Sequence, residues 1–226
     1  MVAAVPDSVF ADGLYTPEQA ARLARLSTRS LRRWLDGEGD KAPALQRSMP
    51  KSNSAVVGFV DLIQALAIRA IRKSGKLSLQ KVRETIVEAE KAGVTYPFAR
   101  RHQTFLFSDD VVIKLNDTII QVTGKYKQQH LLRPVIEVYM DDLTFDVFGL
   151  ATRYTPLKED HREIVIDPSI KYGSPVVLPC GFTVGSLISA VESEGSISAA
   201  ANAYEVEEAD IRLALKYDDN LAGIAA

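Results

Sequence analysis

Cysteine is almost missing from this 226-residue sequence, in which Cys180 stands alone. A single thiol excludes an intrachain disulfide and a cysteine-based zinc site. The three histidines, His102, His130 and His161, are scattered without ligand spacing, so no metal and no cofactor is expected. No run approaches the roughly 20 apolar residues of a membrane-spanning helix. The opening MVAAVPDSVF lacks both a basic stretch and an apolar stretch. That argues against a signal peptide and for a cytoplasmic protein without a membrane partner. There is no nucleotide-binding glycine loop, no nucleophile elbow, and no histidine beside Cys180 in the chain, so an enzyme is not expected. What is present is an ordinary globular composition, 46% hydrophobic and 25% charged, in a chain long enough for two cored domains.

The net charge of −2 conceals a division. Residues 1–103 hold 17 Lys and Arg against 10 Asp and Glu, a surplus of seven positive charges. Residues 104–226 hold 10 against 19, a surplus of nine negative ones. A basic half suits a polyanion, and an acidic half suits self-association or a protein partner.

Residues 1–13 read as a flexible lead. Thr16-Pro17-Glu18-Gln19 then carries a helix start, with Thr16 as cap, Pro17 in the first turn and Gln19 completing a capping box. After a turn at Leu26-Ser27-Thr28 the spacing predicts a short helix over 28–36. Leu31, Trp34 and Leu35 form its apolar stripe, and Arg29, Arg32, Arg33 and Asp36 fall at i, i+3, i+4 and i+7 on the opposite face. Three arginines on such a face can reach phosphates and base edges. The polar, turn-rich stretch 36–58, bearing Lys41, Arg47 and Lys51, reads as a wing against a phosphate backbone, partly mobile without DNA. Candidate DNA-binding residues are therefore Thr28, Arg29, Ser30, Arg32, Arg33, Lys41, Arg47 and Lys51. Two core-spaced helices follow, over 61–74 and 78–92, and their basic residues Arg69, Arg72, Lys73, Lys81 and Arg83 add to the positive field.

Strands are predicted at 104–107, 111–115 and 118–122, with Asn116-Asp117 as a tight turn, and at 144–148 and 150–154 around Gly149. Asp141, Asp142 and Asp146 lie close in sequence, but no nuclease motif surrounds them. Strands at 163–166 and 176–178 precede three helices, beginning with one capped by Thr183 and closed by Gly195. The third opens with Glu207, Glu208 and Asp210. These acids suit a helix N-terminus but oppose phosphates, so this trio reads as a dimerisation or protein-binding unit despite its helix-turn-helix spacing. The expected fold class is α+β. It has an N-terminal winged helix-turn-helix over 14–95, a central small antiparallel β region over 96–160 and a C-terminal three-helix module of helix-turn-helix type over 161–226.

Two resemblances can be attached to these residues. The run Ser27-Thr28-Arg29-Ser30-Leu31-Arg32-Arg33-Trp34 resembles the recognition helix of MerR-type regulators, except that Arg33 stands where an aromatic residue is usual. Phe59-Val60-Asp61-Leu62 and Gly75-Lys76-Leu77-Ser78-Leu79 resemble the same family's wing end and following helix turn. The family's long dimerising coiled coil is absent. Residues 163–217 resemble the DUF433 module through Ile166-Asp167-Pro168-Ser169-Ile170, Gly173-Ser174-Pro175-Val176-Val177, Thr183-Val184, Glu194-Gly195-Ser196-Ile197 and Asp210-Ile211-Arg212. Pro179-Cys180-Gly181 replaces that family's Gly-Thr-Arg turn. The pair is similar to VapB-type antitoxins of type II toxin–antitoxin modules. The resemblance implies an antitoxin that neutralises a PIN-domain ribonuclease toxin and binds operator DNA to repress its own operon. A single short recognition helix further implies a homodimer on a two-fold operator. The alternative is a ligand-sensing MerR-like regulator without a toxin, its central region enclosing a small molecule among Tyr126, Tyr139, Phe145, Phe148 and Tyr154.

Overall fold

The computed structural model describes residues 14–222 apart from 50–54, 76–77, 92, 102, 108–109, 116–117 and 122–140. Expectations for the lead 1–13, for Lys51, for Asn116-Asp117 and for Tyr126 and Tyr139 lie outside the described residues. The fold is mixed α/β, with seven α-helices and small sheets among the described residues. Two compact units divide the described residues, the first of Tyr15–Tyr154 with 219–222 and the second of Thr155–Asp218 with Leu14.

The first unit begins at the end of β1 (Leu14–Tyr15), which pairs with β2 (Val57–Gly58). Helix α1 (Pro17–Leu23) starts from the capping box that the sequence predicts. The Thr16 hydroxyl accepts the Gln19 N–H at 3.2 Å, and the Gln19 side chain accepts the Thr16 N–H at 2.9 Å. Arg25 then takes a left-handed conformation, with φ of 54°, where glycine is usual after a helix. The Leu26 N–H returns to the Ala21 carbonyl at 2.8 Å, and the turn aims α2 (Thr28–Asp36).

Helix α3 (Phe59–Gly75) leaves β2 without a loop. Phe59, Leu62, Ile63, Leu66, Ile68 and Ile71 are buried in the core along it. Helix α4 (Leu79–Lys91) buries Val82, Ile86 and Ala89 and lies against two strands of a three-stranded antiparallel sheet. That sheet has the order β3 (Gln103–Phe107), β4 (Asp110–Leu115), β5 (Thr118–Gln121), and Leu115 pairs with Thr118.

A four-stranded sheet has the order β6 (Leu143–Phe145), β7 (Ala151–Glu159), β8 (Arg162–Ile166), β9 (Val176–Leu178). Strand β7 runs five residues past the expected end at Tyr154. It therefore joins strands that the sequence assigns separately to a central region and a C-terminal module. In the second unit Ile164, Val165 and Ile166 are all fully buried, which marks a strand covered on both faces. Helices α5 (Val184–Glu194), α6 (Ile197–Tyr204) and α7 (Glu208–Ala222), the last of these as far as Asp218, complete it. Thr183 and Ser196 cap the first two as hydroxyl acceptors, and Gly195 closes α5 in the left-handed region.

Candidate nucleic-acid interface

Helix α2 is positioned from three sides. Ser27 caps it, its hydroxyl accepting the Ser30 N–H at 3.2 Å. Leu31, Trp34 and Leu35 are at most 2% exposed, which fixes its inner face. The chain beyond it folds back, so that the Trp34 carbonyl accepts the N–H groups of Ala44 at 2.7 Å and Leu45 at 3.1 Å. That return starts at Gly37, whose φ is +88° and where a Cβ would stand 2.4 Å from the Lys41 carbonyl oxygen, so only glycine fits. Glu38 and Lys41 then exchange both backbone hydrogen bonds at 3.1 Å, making a tight turn around Gly39.

This frame leaves Arg29 and Arg32 exposed and Arg33 half-exposed on the outer face of α2. The Arg32 guanidinium donates to Glu18 at 3.1 Å, with both side chains more than half open to water. Such a pair is weak and yields readily to a competing anion. Arg33 Nη1 stands 3.7 Å from Glu38, a loose contact, and its Nε is buried without a partner. Thr28 occupies the first turn, half-buried, and Ser30 is half-buried with its hydroxyl accepting from Ser27 at 2.9 Å. Ser30 thereby takes part in the cap. Lys41 is exposed at the end of the turn.

Arg47 is placed differently from the sequence expectation. Its side chain is only 7% exposed, donating to Asp36 at 2.7 Å and to the Val56 carbonyl at 2.7 Å. It braces the segment between α2 and β2 and does not face outward with Arg29 and Arg32. Asp61 supports the same segment. Its carboxylate accepts the Ser48 N–H at 2.7 Å and the Gly58 N–H at 3.1 Å, while burial raises its pKa against those bonds.

Arg83, which the sequence places only in the general positive field, joins this face. Its Nε donates to the Ala42 carbonyl at 2.5 Å, so α4 reaches the α2 return. A cleft of about 270 Å³ opens there, lined by Arg33, Glu38, Lys41, Leu79, Gln80 and Arg83. Periodicity along α4 cannot announce a contact 41 residues away. Arg72 also approaches, its guanidinium carbon 5.8 Å from the Trp34 ring centroid.

Among the described residues no group of His, Cys, Asp and Glu could hold a metal ion. Asp146 instead accepts the N–H groups of Phe148 and Leu150, both at 2.8 Å, and shapes the β6–β7 turn. Phe148 is 78% exposed, and the Arg101 guanidinium carbon stands 5.4 Å from the Phe145 ring centroid. Burial raises the pKa of the Cys180 thiol, whose Sγ contacts the Val177 carbonyl at 3.4 Å within a turn.

In the second unit the acids opening α7 have an internal partner. Arg162 is buried and donates through Nε to Asp210 at 2.8 Å and through Nη2 to Glu207. Asp210 also accepts the Glu207 N–H at 3.2 Å, and Glu208 pairs with Arg212 at 2.9 Å.

No family model matches the chain. Over 228 residues it is 24% identical to a protein of Mycobacterium tuberculosis named "Putative antitoxin VapB45", across 89% of this chain and 92% of that one. The crystal structure of Rv2018 from Mycobacterium tuberculosis matches with a TM-score of 0.62 at 20% identity, covering 89% of this chain and 96% of that chain. No helix among the described residues is long and apolar enough to cross a membrane. The chain thus shares its fold with a solved protein, and a distant sequence likeness with a protein named as an antitoxin, along nearly the whole length of each.

Proposed function

We propose that this protein is a non-enzymatic, cytoplasmic antitoxin that binds operator DNA through α2 and its return turn and neutralises a PIN-domain ribonuclease toxin through its remaining surface. The observation that carries the reading is the sequence likeness to an antitoxin-named protein over 89% of this chain and 92% of that one. A likeness of that span supports a common role for the assembly, beyond one shared helix-turn-helix. The exposed Arg29 and Arg32 with half-exposed Arg33 support the DNA half of the reading. In it α1 and α2 form a MerR-like helix-turn-helix, the stretch 36–58 its wing, and the residues from 161 onward a DUF433-like unit for self-association or toxin contact.

The decisive experiment pairs two measurements on one variant. Replacing Arg29, Arg32 and Arg33 together with alanine is expected to lower affinity for the DNA upstream of the gene at least about a hundredfold, while co-purification with the product of the adjacent reading frame is unchanged. Removal of three charge-assisted hydrogen bonds at once accounts for that size. Undiminished DNA binding removes α2 from the function. If the neighbouring product has no nuclease activity for this chain to suppress, the antitoxin role is wrong.

A further inference from the structure

We propose that the cleft between α2, the Gly37–Lys41 turn and α4 seats one backbone phosphate of duplex DNA, gripped jointly by Arg33, Lys41 and Arg83 and weakened by Glu38. This inference rests on the DNA-binding reading and makes Arg33 a phosphate contact, leaving Arg29 and Arg32 for the groove.

Contacts tie the four residues into one place. Arg83 holds the Ala42 carbonyl through Nε at 2.5 Å, directly after Lys41 in the chain. Arg33 Nη1 is 3.7 Å from Glu38, and Glu38 is locked to Lys41 by two backbone bonds of 3.1 Å. All four line the same cleft of about 270 Å³. Three cations and one carboxylate line that cleft, and the cations' donors are underused. Nothing else among the described residues bonds Arg83, Lys41 Nζ has no partner among them, and Arg33 Nε is buried without one. An uncompensated surplus of two positive charges in a confined space is stabilised by an anion. Leu79 and Gln80, from the first turn of the 13-residue α4, form the other wall. The anion that also places Arg29 and Arg32 against a ligand is a polymer running along α2, and a duplex strand supplies it.

A shared phosphate has a signature that independent surface cations lack. The test uses the full chain, a random-sequence duplex and fluorescence anisotropy over a series of salt concentrations. Lys41→Ala and Arg83→Ala are each expected to weaken binding on the order of tenfold and to flatten the log–log salt slope by about 0.9, the value of one phosphate contact. Because both grip the same phosphate, the double variant should weaken binding little further and leave the slope of the single variants. Glu38→Gln should tighten binding. Lys91→Ala, at the far end of α4, should change nothing. Lys41 is exposed with a free side chain among the described residues, so its variant reads the site even if Arg83→Ala loosens the fold. Full additivity in the double variant, or a Lys91→Ala effect equal to that of Arg83→Ala, would overturn the clamp in favour of a diffuse field. Binding of inorganic phosphate that depends on Arg83, with no such dependence for the duplex, would overturn the DNA assignment. If the wild-type chain binds duplex and the cleft variants are silent, only this inference fails; if it binds no duplex at the lowest salt, the DNA reading fails with it.

Discussion

Arg162 and Asp210 illustrate how a charge survives burial. Their side chains are 8% and 6% exposed, and each satisfies the other at 2.8 Å while Glu207 closes the group. Removing one partner leaves the other charged in a poor solvent. Arg162→Met, which strands the buried Asp210, is therefore expected to cost about 3–5 kcal/mol in urea unfolding, whereas Arg162→Met combined with Asp210→Leu should recover most of that loss. A single variant as stable as the wild type would show that water reaches the pair. Tyr154 is the contrasting case. Burial, with Asp142 adding to it and Arg25 and Arg69 opposing it, pushes its phenol from 10.0 up to about 12. The folded state favours the neutral form, so this group's contribution to stability is full below about pH 10 and is lost as pH rises through about 12. Absorbance titration of the tyrosinates should show a late component near that pH, and Tyr154→Phe should abolish it.

At the scale of elements, α2 is set by cap, stripe and return rather than by propensity alone. Leu31 is fully buried at its centre, so Leu31→Ala should destabilise by about 2–5 kcal/mol through reduced burial and a residual cavity. Phe148 is as apolar but 78% exposed on a turn already held by Asp146, and Phe148→Ser should stay within about 0.5 kcal/mol. Denaturant midpoints of the two variants, measured together, decide whether burial sets the difference. Helix α3 shows a competition between elements. Its apolar spacing suggests a start at Asp61, yet it begins at Phe59, because β2 delivers the chain directly and the Asp61 carboxylate accepts the Gly58 N–H at 3.1 Å. The two-residue strands β1 and β2 were not legible at all, since two residues carry no alternation.

For the whole molecule, the opposed charge surpluses do not map simply onto open surfaces. Acids at the start of α7 are turned to Arg162 and Arg212, cations already counted in the balance of residues 104–226, so the surplus of nine negative charges stands and only its placement is changed. Sedimentation of the full chain is expected to give a dimer, alone or on DNA; a monomer under both conditions would remove the two-fold arrangement.

Local chemistry, all of it within a few residues along the chain, was sufficient to define the caps at Thr16 and Thr183, the stripe Leu31-Trp34-Leu35, the stop at Gly195 and the outward arginines of α2. Each depends on hydrogen bonds or periodicity spanning one or two turns, which is why the sequence alone determined them. Tertiary structure alone decided that Arg47 turns inward to Asp36 and Val56, that Arg83 reaches Ala42, that Arg162 meets Asp210, and that β7 continues into a second unit. Those outcomes hinge on which distant backbone carbonyl or carboxylate lies within hydrogen-bonding reach of a long cationic side chain, and a linear pattern holds no record of such distances.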